Sequence, residues 1–514
     1  MAVIENKPKA FLLLLICSIP FWAYVFLTWQ GSFINTLEIK GKVNVLVKLQ
    51  NAIMDSRVYR KPRIKPMLEP VRFLHNNTCQ YRSYERLMKP CHNTSWENGN
   101  KNMTLRTKAD LTEIKIELPN STDQPGRVIL QTFDELKNRK KIGGDFWRSY
   151  ISNDKFKKAI YFVDHLNGSY SAEFVIPFKG TYTLNVFLEH SVCDGIIDPP
   201  MWWFTKGNVH GNEQKEGIIG KMDQFRNTPT KKVTIEIKIE PSSKLKQTFN
   251  SLGKVQNVIN EYFGYWKDGE YTSYQDGKPI RTPTLNDSVS KPLNTLWFYG
   301  DSLTYLFQKS CKKHPLCTKV FQNCELTYTW TYKKFYSTND DNAKDFYTKS
   351  GKDFDEAKFV NDFKGVLMGD KMTNSNSVFV VNWGMHTIGN MQLPRKMKAF
   401  QRFLKMIQEV KDTLKDRMPL VIWKSTTPPT FENIKQTYTS MRFRTKYRAE
   451  VWNSYTIQEL CKANIPVLDV YDMALSTPIK PKDHVHFPDK AFYPAQDDLL
   501  RYIIKVYRLN KLKF

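Results

Sequence analysis

Apolar and polar residues alternate with a period of two over several stretches between residues 71 and 240. The apolar positions of three such stretches are Ile114, Ile116 and Leu118; Tyr182, Leu184, Val186 and Leu188; and Val233, Ile235, Ile237 and Ile239. Because successive side chains of a strand point to opposite faces, this alternation predicts strands with one buried face. Turn signals separate the stretches, among them Asn167-Gly168 and Lys179-Gly180. The pattern therefore predicts an antiparallel, immunoglobulin-like β-sandwich over residues 71–240.

Three short motifs lie inside this region. The segment 167–174, N-G-S-Y-S-A-E-F, is typical of a hairpin entry in immunoglobulin-like modules. The segment 143–148, G-G-D-F-W-R, favours a tight turn with a buried aromatic residue over a binding loop. The aromatic run 201–204, M-W-W-F, favours core packing over a platform on which a sugar could stack.

A different periodicity begins at residue 293. Short apolar runs occur at 296–299, 378–383, 419–423 and 466–470. Helical patterns separate them, and one of these places five apolar residues on a single face: Met397, Phe400, Leu404, Ile407 and Leu414. Alternation of strands and helices predicts an α/β domain with a parallel sheet over residues 293–514. The polar segment 241–292, which contains Gly, Pro and Ser, is interpreted as a linker.

The N-terminal segment 10–29 carries no charge and is just long enough to span a bilayer as a helix. Its far end is filled by bulky residues, whereas a cleaved signal peptide has a shorter apolar core and small residues at its cleavage site. Residues 1–30 are therefore predicted to form a cytosolic tip and an uncleaved signal-anchor. Residues 31–70 are predicted to be a stem, with a helix packed on the next domain as the alternative.

The cysteines agree with a secretory compartment. Apart from Cys17, which lies in the apolar segment, the chain has seven, and their spacing fits no C-x-x-C metal pattern. A disulfide framework is expected in an oxidising lumen, with Cys79–Cys91 as a local bridge and at least one cysteine left over. The expected location is the Golgi lumen, as a single-pass type II membrane protein, with secretion as the alternative. N-glycosylation sequons begin at Asn76, Asn93, Asn102, Asn120, Asn167 and Asn286.

The formal net charge of +26 predicts attraction to acidic partners. No zinc-finger, RRM or homeodomain signature is present, so nucleic acid is not an expected partner. An acidic glycan or glycoprotein fits the charge, and a generally basic surface without a dedicated partner fits it equally well. With 41% hydrophobic and 13% aromatic residues, the chain is not of a disordered class.

The candidate chemistry lies at Gly300-Asp301-Ser302, which follows the first apolar run of the α/β region. About 180 residues later comes Asp483-His484-Val485-His486. A strand that runs into a tight turn can expose the Ser302 hydroxyl, and a late D-x-x-H can bring His486 as base and Asp483 as its orienting carboxylate. Asn382, Gly384 and His386 follow the second apolar run, and ligands in parallel sheets bind beyond the carboxyl ends of strands. Together with Gly300, they are candidates for oxyanion or substrate binding.

Taken together, the apolar N-terminal segment, the two sandwich motifs and the G-D-S and D-x-x-H pair resemble the NXPE family, the neurexophilin and PC-esterase domain proteins. The resemblance covers nearly the whole chain from about residue 71. It implies a neurexophilin-like sandwich, a flavodoxin-like three-layer domain of the SGNH type, and activity on O-acyl groups of carbohydrates, with sialic acid as a candidate substrate. The triad then falls on Ser302, Asp483 and His486. At residues 384–387 the chain reads G-M-H-T where the family more often has G-x-H-F.

No bound cofactor or metal ion is expected, but a transferase would need an acyl donor such as acetyl-CoA. The sequence leaves carbohydrate O-acetyltransferase and O-acetylesterase open. A third alternative is a non-catalytic glycoprotein that binds a cell-surface protein through its sandwich. A lipid hydrolase would need an apolar groove. The excess of basic over acidic residues favours an acidic, soluble substrate instead.

Overall fold

The computed structural model describes residues 83–92, 94, 105–121, 123–198, 231–239, 242, 258–259, 264–275, 278–279, 291–329, 355–430, 444–483 and 485–509. These residues belong to one compact unit that spans Phe73–Phe514. The predicted anchor, the predicted stem and the aromatic run 201–204 lie outside the described residues. Among the helices of the described ranges, none combines the length and apolar character needed to cross a membrane.

Two antiparallel sheets form the N-terminal half. Their first eight strands, β1 to β8, span Glu113–Glu117, Gly126–Gln131, Phe146–Ser152, Phe156–Tyr161, Val163–Asp164, Ser169–Phe174, Gly180–His190 and Lys231–Ile237. One sheet has the order β1-β2-β6-β5, and β4-β3-β7-β8 belong to the other. Both sheets contribute to one core, which includes Val128 and Tyr170 from the first and Trp147, Leu184 and Ile235 from the second. The predicted sandwich of two sheets is present, and its immunoglobulin-like classification stays a prediction.

The alternation predicted from the sequence is clear in β8, where Ile235 and Ile237 are buried while Thr234 and Glu236 are exposed. It fails at Leu118, which is 43% exposed because β1 is an edge strand that ends at Glu117. Within the segment 143–148, Gly144 has a positive φ, β3 begins at Phe146, and Trp147 is buried in the core.

The predicted linker contains strands. Within residues 241–292, β9 (Gly264–Lys267), β10 (Glu270–Gln275) and β11 (Lys278–Pro279) continue the larger sheet, which has the order β11-β10-β9-β4-β3-β7-β8. The two residues between β9 and β10, Asp268 and Gly269, both have positive φ, as a two-residue hairpin turn requires. The larger sheet therefore continues beyond residue 240, where the sequence predicts the sandwich to end.

A parallel sheet forms the C-terminal half, as predicted. Its strands β12 to β16 span Leu293–Gly300, Phe321–Tyr328, Val378–Val381, Leu420–Lys424 and Val467–Leu468. Its strand order is β13-β12-β14-β15-β16, and neighbouring strands in this order pair in parallel. The order therefore reverses between β12 and β14, and such switch points in doubly wound folds are where ligands bind.

Helices lie on both faces of this sheet. In chain order, α1 to α8 span Tyr84–Met88, Ser302–Cys311, Glu356–Leu367, Met385–Asn390, Leu393–Leu414, Lys446–Lys462, Tyr471–Leu475 and Tyr493–Val506. The neighbouring residues Phe298 and Tyr299 of β12 point into different cores. Tyr299 packs with side chains of α3, α5 and α6, whereas Phe298 packs with those of α2 and α8. The result is a three-layer α/β/α arrangement.

The disulfides differ from the expected local bridge. Cys91 pairs with Cys193, 102 residues away, rather than with Cys79. A short 3-10 turn, Lys89–Cys91, places its sulfur against the turn that follows β7. Cys317 pairs with Cys324, Cys461 is also disulfide-bonded, and within the described ranges Cys311 is a free, buried thiol.

The two halves share a buried polar contact. Glu189 of β7 accepts a hydrogen bond of 2.5 Å from Arg148 of β3 and lies 3.3 Å from the ammonium of Lys446 in α6. All three side chains are at most 4% exposed. Nearby, Phe146 stacks on Tyr447 with 4.5 Å between ring centroids. The sandwich and the α/β layers are therefore joined through a common interior.

Candidate active site

The turn after β12 is fixed by its aspartate. Asp301 is the N-cap of α2, and its carboxylate accepts a 3.0 Å hydrogen bond from the amide of Leu303. Burial raises the pKa of Asp301, while the Lys424 ammonium and the hydrogen bond from Leu303 oppose that rise. Asp301 thus stabilises the turn. Ser302 becomes the first residue of the helix and is partly exposed.

The structure brings the three residues of the predicted triad together in one hydrogen-bonded chain. His486 Nε2 lies 2.8 Å from Ser302 Oγ, and His486 Nδ1 lies 2.6 Å from Asp483 Oδ2. The other carboxylate oxygen of Asp483 accepts from the backbone amides of Val485 and His486, at 2.8 and 2.9 Å. The histidine side chain is 28% exposed. A base with one nitrogen on a hydroxyl and the other on a carboxylate can take up the hydroxyl proton.

Asp483 is held in its charged form. Partial burial alone would raise its pKa, but the hydrogen bond to His486 and the two backbone amides lower that pKa far below the ordinary value. An ionised carboxylate at Nδ1 keeps the imidazole proton on that nitrogen, so Nε2 is free to accept. The D-x-x-H spacing therefore builds the orienting contact within a single turn of the loop.

Three loops meet at the site through a small apolar cluster. It consists of Leu303, Met385 and Val485, each no more than 5% exposed. Each of these residues directly adjoins a predicted site residue: Ser302, Gly384 or His386, and His486. The cluster fixes the relative position of the loops that follow β12 and β14 and of the loop that precedes α8. No local pattern in the sequence indicates this cluster, because its members are far apart along the chain.

Asn382 lies under the site and is 1% exposed. Its side-chain nitrogen donates to the carbonyl of Lys424 at 2.8 Å and to the hydroxyl of Thr426 at 3.2 Å. Both amide hydrogens are thus used to hold the end of β14 against the end of β15. This arrangement does not offer the Asn382 side chain as an oxyanion donor.

Gly384 is closely surrounded. A Cβ at this position would lie 1.6 Å from Thr426 Oγ1, so no other residue fits without movement. Its carbonyl accepts from Thr387 Oγ1, the Ile388 amide and the ammonium of Lys396, at 3.0, 2.9 and 3.1 Å. Gly300 is equally restricted, since its Cβ would lie 2.7 Å from the carbonyl oxygen of Asn382. In the described part of the chain, the amides of Ser302 and Gly384 donate to no protein acceptor.

His386 is the second residue of α4 and is 6% exposed. The structure therefore places it beneath the surface, next to Met385 of the apolar cluster. Of the predicted sequons, Asn120 and Asn167 are exposed, and the other four lie outside the described residues.

Two buried lysines belong to the site's surroundings and were missed by the sequence interpretation. Lys396 and Lys424 are both 0% exposed. Burial lowers the pKa of Lys396 well below its ordinary value, with Arg448 adding to the effect, and burial lowers the pKa of Lys424 to about 8 against the attraction of Asp301. The Lys396 ammonium also lies 3.8 Å from the ring centroid of Trp452. The one available signal was the position of Lys424 at the end of a wholly apolar strand.

No protein-family model matches the chain, and neither does a curated protein sequence. Similar solved structures include a GDSL-like lipase from Bacteroides thetaiotaomicron, at 15% identity and a TM-score of 0.26, over 43% of this chain and 93% of the lipase. An acetyl xylan esterase from Geobacillus stearothermophilus has 12% identity and a TM-score of 0.25, over 42% and 96% of the two chains. Phospholipase A1 from Streptomyces albidoflavus has 10% identity and a TM-score of 0.23, over 41% and 99%. With identities and TM-scores this low, none of these likenesses carries an activity to this chain.

Proposed function

We propose that this protein is a serine-dependent acyl-transfer enzyme in which Ser302 is the nucleophile, His486 the general base and Asp483 the orienting carboxylate. The observation that carries the proposal is the continuous hydrogen-bonded chain from Asp483 through His486 to Ser302. Its end lies at the carboxyl edge of a parallel sheet, beside the point where the strand order reverses.

In the proposed reaction, Ser302 Oγ attacks the carbonyl carbon of an ester as His486 Nε2 accepts the hydroxyl proton. Asp483 stabilises the imidazolium that forms. The tetrahedral intermediate collapses, His486 returns the proton to the leaving group, which is an alkoxide from an ester donor or a thiolate from a thioester donor such as acetyl-CoA, and an acyl-serine remains. A second hydroxyl compound, water or a sugar, then gives its proton to His486 and takes the acyl group from Ser302. Water makes the enzyme an esterase, and a sugar hydroxyl makes it a transferase.

The oxyanion of the intermediate needs donors that have no other acceptor. The amides of Ser302 and Gly384 meet this condition in the described part of the chain, and the apolar cluster of Leu303, Met385 and Val485 holds their two loops together. Donors of this kind contribute roughly 2.7–4 kcal/mol each in other acyl-transfer sites. We assign the oxyanion site to these two amides, with Asn382 and Gly300 supporting the loops.

As substrate we propose an acidic glycan, with O-acetylation of sialic acid as the first choice and removal of the acetyl group as the alternative. The net charge of +26 favours anionic substrates, and sialic acid has one carboxylate and several hydroxyls that can be acylated. The exposed lysines Lys480, Lys482 and Lys490 flank the loop that contains Asp483 and His486. The proposed place is the Golgi lumen, with acetyl-CoA or a related donor supplying the acyl group.

The test compares wild type with Ser302→Ala in cells that make sialylated glycans. The O-acetylated fraction of released sialic acids is measured by mass spectrometry. A rise that depends on Ser302 indicates a transferase, and a fall that depends on Ser302 indicates an esterase. If both proteins leave the same profile, this substrate is wrong, and capture of a cell-surface partner by the sandwich becomes the leading alternative.

A further inference from the structure

An exposed tyrosine lies one helical turn from the nucleophile. Tyr305 is the fourth residue of α2 and is 41% exposed, whereas its neighbours Leu303 and Thr304 are buried. Residues three apart on a helix are neighbours on one face. Long helical side chains also lean toward the helix N-terminus. The Tyr305 ring therefore extends from its own backbone position toward Ser302 rather than away from it.

A second tyrosine reaches the same place from the sheet. In the parallel pairing of β12 with β13, Tyr328 is the register partner of Gly300. The next residue, Thr329, donates its amide to the Gly300 carbonyl at 2.9 Å, which fixes the end of β13 beside the nucleophile turn. The rings of Tyr305 and Tyr328 have centroids 6.1 Å apart and planes inclined by 53°.

We propose that this Tyr305–Tyr328 pair is the aromatic wall of the acyl-transfer site and binds the pyranose ring of the sugar that gives or receives the acyl group. The inference rests on the proposed function of Ser302 and adds the residues that select a ring-shaped carbohydrate. One face of a pyranose presents C–H bonds with slightly positive hydrogens, which are attracted to the negative face of an aromatic ring. A tyrosine also has a hydroxyl that can bond to the sugar's hydroxyl groups.

The surroundings favour a sugar ring over a lipid chain. A long acyl chain needs a continuous apolar groove, but within the described ranges the apolar residues that adjoin Ser302 and His486 in sequence or at Gly384, namely Leu303, Met385 and Val485, are buried against each other. Among the exposed large apolar side chains of the described ranges, Tyr305 is the one that belongs to the nucleophile helix. An isolated aromatic surface with polar tips suits a compact, amphipathic ligand.

The experiment separates binding at the wall from the reactivity of the serine. Full-length protein is labelled with a small alkyl fluorophosphonate that contains no ring, and the rate of labelling at Ser302 is followed by mass spectrometry. Protection is then measured with a methyl O-acetyl-pyranoside. The variants are Tyr305→Leu, which keeps apolar volume but removes the ring, and the matched control Tyr305→Phe, which keeps the ring.

Each protein's labelling rate without pyranoside is its own reference, and relative to that reference we expect the pyranoside concentration for half-protection to rise about 3- to 10-fold in Tyr305→Leu, the range typical of losing one aromatic stacking contact. Tyr305→Phe should be protected nearly as well as wild type. Equal protection of all three proteins would contradict the proposal that Tyr305 and Tyr328 bind the pyranose ring. The proposal would also be contradicted if a linear acyl ester protected Ser302 and the pyranoside did not. If wild-type Ser302 is not labelled, the proposed function itself fails and this inference falls with it. Thermal unfolding of each variant shows that the fold is retained.

Discussion

At the scale of single residues, the site combines a local contact with a distant one. Asp483 and His486 are three residues apart and meet within one loop, whereas Ser302 lies 184 residues from its base. The local part can be predicted from spacing alone. The distant part depends on the sheet, which brings the turn after β12 to the loop before α8.

Replacing Asp483 by Asn tests the orienting role. The asparagine oxygen can still accept the backbone amides of Val485 and His486, so the loop keeps its shape. Its nitrogen, however, would donate to His486 Nδ1 and place the imidazole proton on Nε2, which then cannot accept from Ser302. We expect fluorophosphonate labelling to slow by roughly 10³- to 10⁴-fold, as in other Ser-His-Asp sites.

The chain offers a matched control for that substitution. Asp497 of α8 lies 3.0 Å from His314 and forms a second aspartate–histidine pair away from Ser302. Asp497→Asn should label at the wild-type rate. Labelling of Asp483→Asn at the same rate as Asp497→Asn would remove Asp483 from the mechanism.

The buried Lys424 predicts a particular dependence of stability on pH. Its pKa is about 8 in the fold, because burial disfavours the charged form, and about 10.4 in the unfolded chain. Between these values the unfolded chain binds a proton that the folded chain does not, so stability rises with pH in this window. Relative to Lys424→Met, wild type should gain roughly 2–3 kcal/mol in unfolding free energy from pH 8 to about pH 10.4. Urea unfolding of both proteins across that pH range measures the difference in unfolding free energy. If this difference does not change with pH, the lowered pKa of Lys424 is contradicted.

At the scale of elements, the ends of β12, β14 and β15 are packed so closely that glycine is required at two positions. Gly300 faces the carbonyl of Asn382, and Gly384 faces the side chain of Thr426. The amides of Asn382 then tie β14 to β15. The site is therefore held by contacts between strand ends.

Gly384→Ala should disrupt these strand ends. The new methyl group would meet Thr426 Oγ1 at 1.6 Å and displace the turn that positions the Gly384 amide. Overpacking of this kind costs typically 1–3 kcal/mol, and loss of the oxyanion donor should reduce labelling of Ser302 by more than tenfold. Gly365→Ala is the control, because Gly365 lies in the last turn of α3 and a Cβ there meets nothing within 4 Å. It should raise stability by about 0.5–1 kcal/mol and leave labelling unchanged.

The strands that the sequence predicts and those it misses differ in burial. The four predicted runs of the parallel sheet are buried on both faces, so they appear as continuous apolar segments. The missed strand β13 is an edge strand, and Gln322 and Asn323 on it are exposed. The hairpin of β9 and β10 was also missed, although its Asp268-Gly269 turn is a recognised hairpin signal. Polar edge strands show only a weak alternation of apolar and polar residues. The residue types of a hairpin turn, such as Asp-Gly, can still indicate where such strands lie.

At the scale of the whole molecule, the two halves cannot be separated at the boundary predicted from the sequence. Strands β9 to β11 lie beyond residue 240 and extend the sandwich sheet, and Trp266 of β9 donates its indole N–H to the Met473 carbonyl at 2.9 Å. Contacts between residues hundreds of positions apart leave no mark on local composition. The same reason explains why the Cys91–Cys193 bridge was not predicted from spacing.

The buried contact between the halves predicts a single, acid-sensitive unfolding transition. Burial alone would raise the pKa of Glu189, but Lys446 and Arg148 lower it to about 2. The ionised Glu189 carboxylate therefore stabilises the fold fully at pH values above about 4.3, the pKa of a glutamate in the unfolded chain. This stabilisation is lost as the pH falls toward 2. Glu189→Gln leaves two buried cations without their carboxylate and should cost about 3–5 kcal/mol at pH 7.

Urea unfolding of full-length wild type and Glu189→Gln, followed at pH 7 and again near pH 3, measures both effects. The difference between the two proteins should be largest at pH 7 and smaller near pH 3, where wild type has begun to lose the same contribution. Exposed control pairs such as Lys115 with Glu117 lie on the sandwich surface, so Glu117→Gln should change stability by less than about 1 kcal/mol. Two separate transitions in wild type would show that the sandwich and the α/β layers fold independently, since a shared charged interior requires both halves to unfold together.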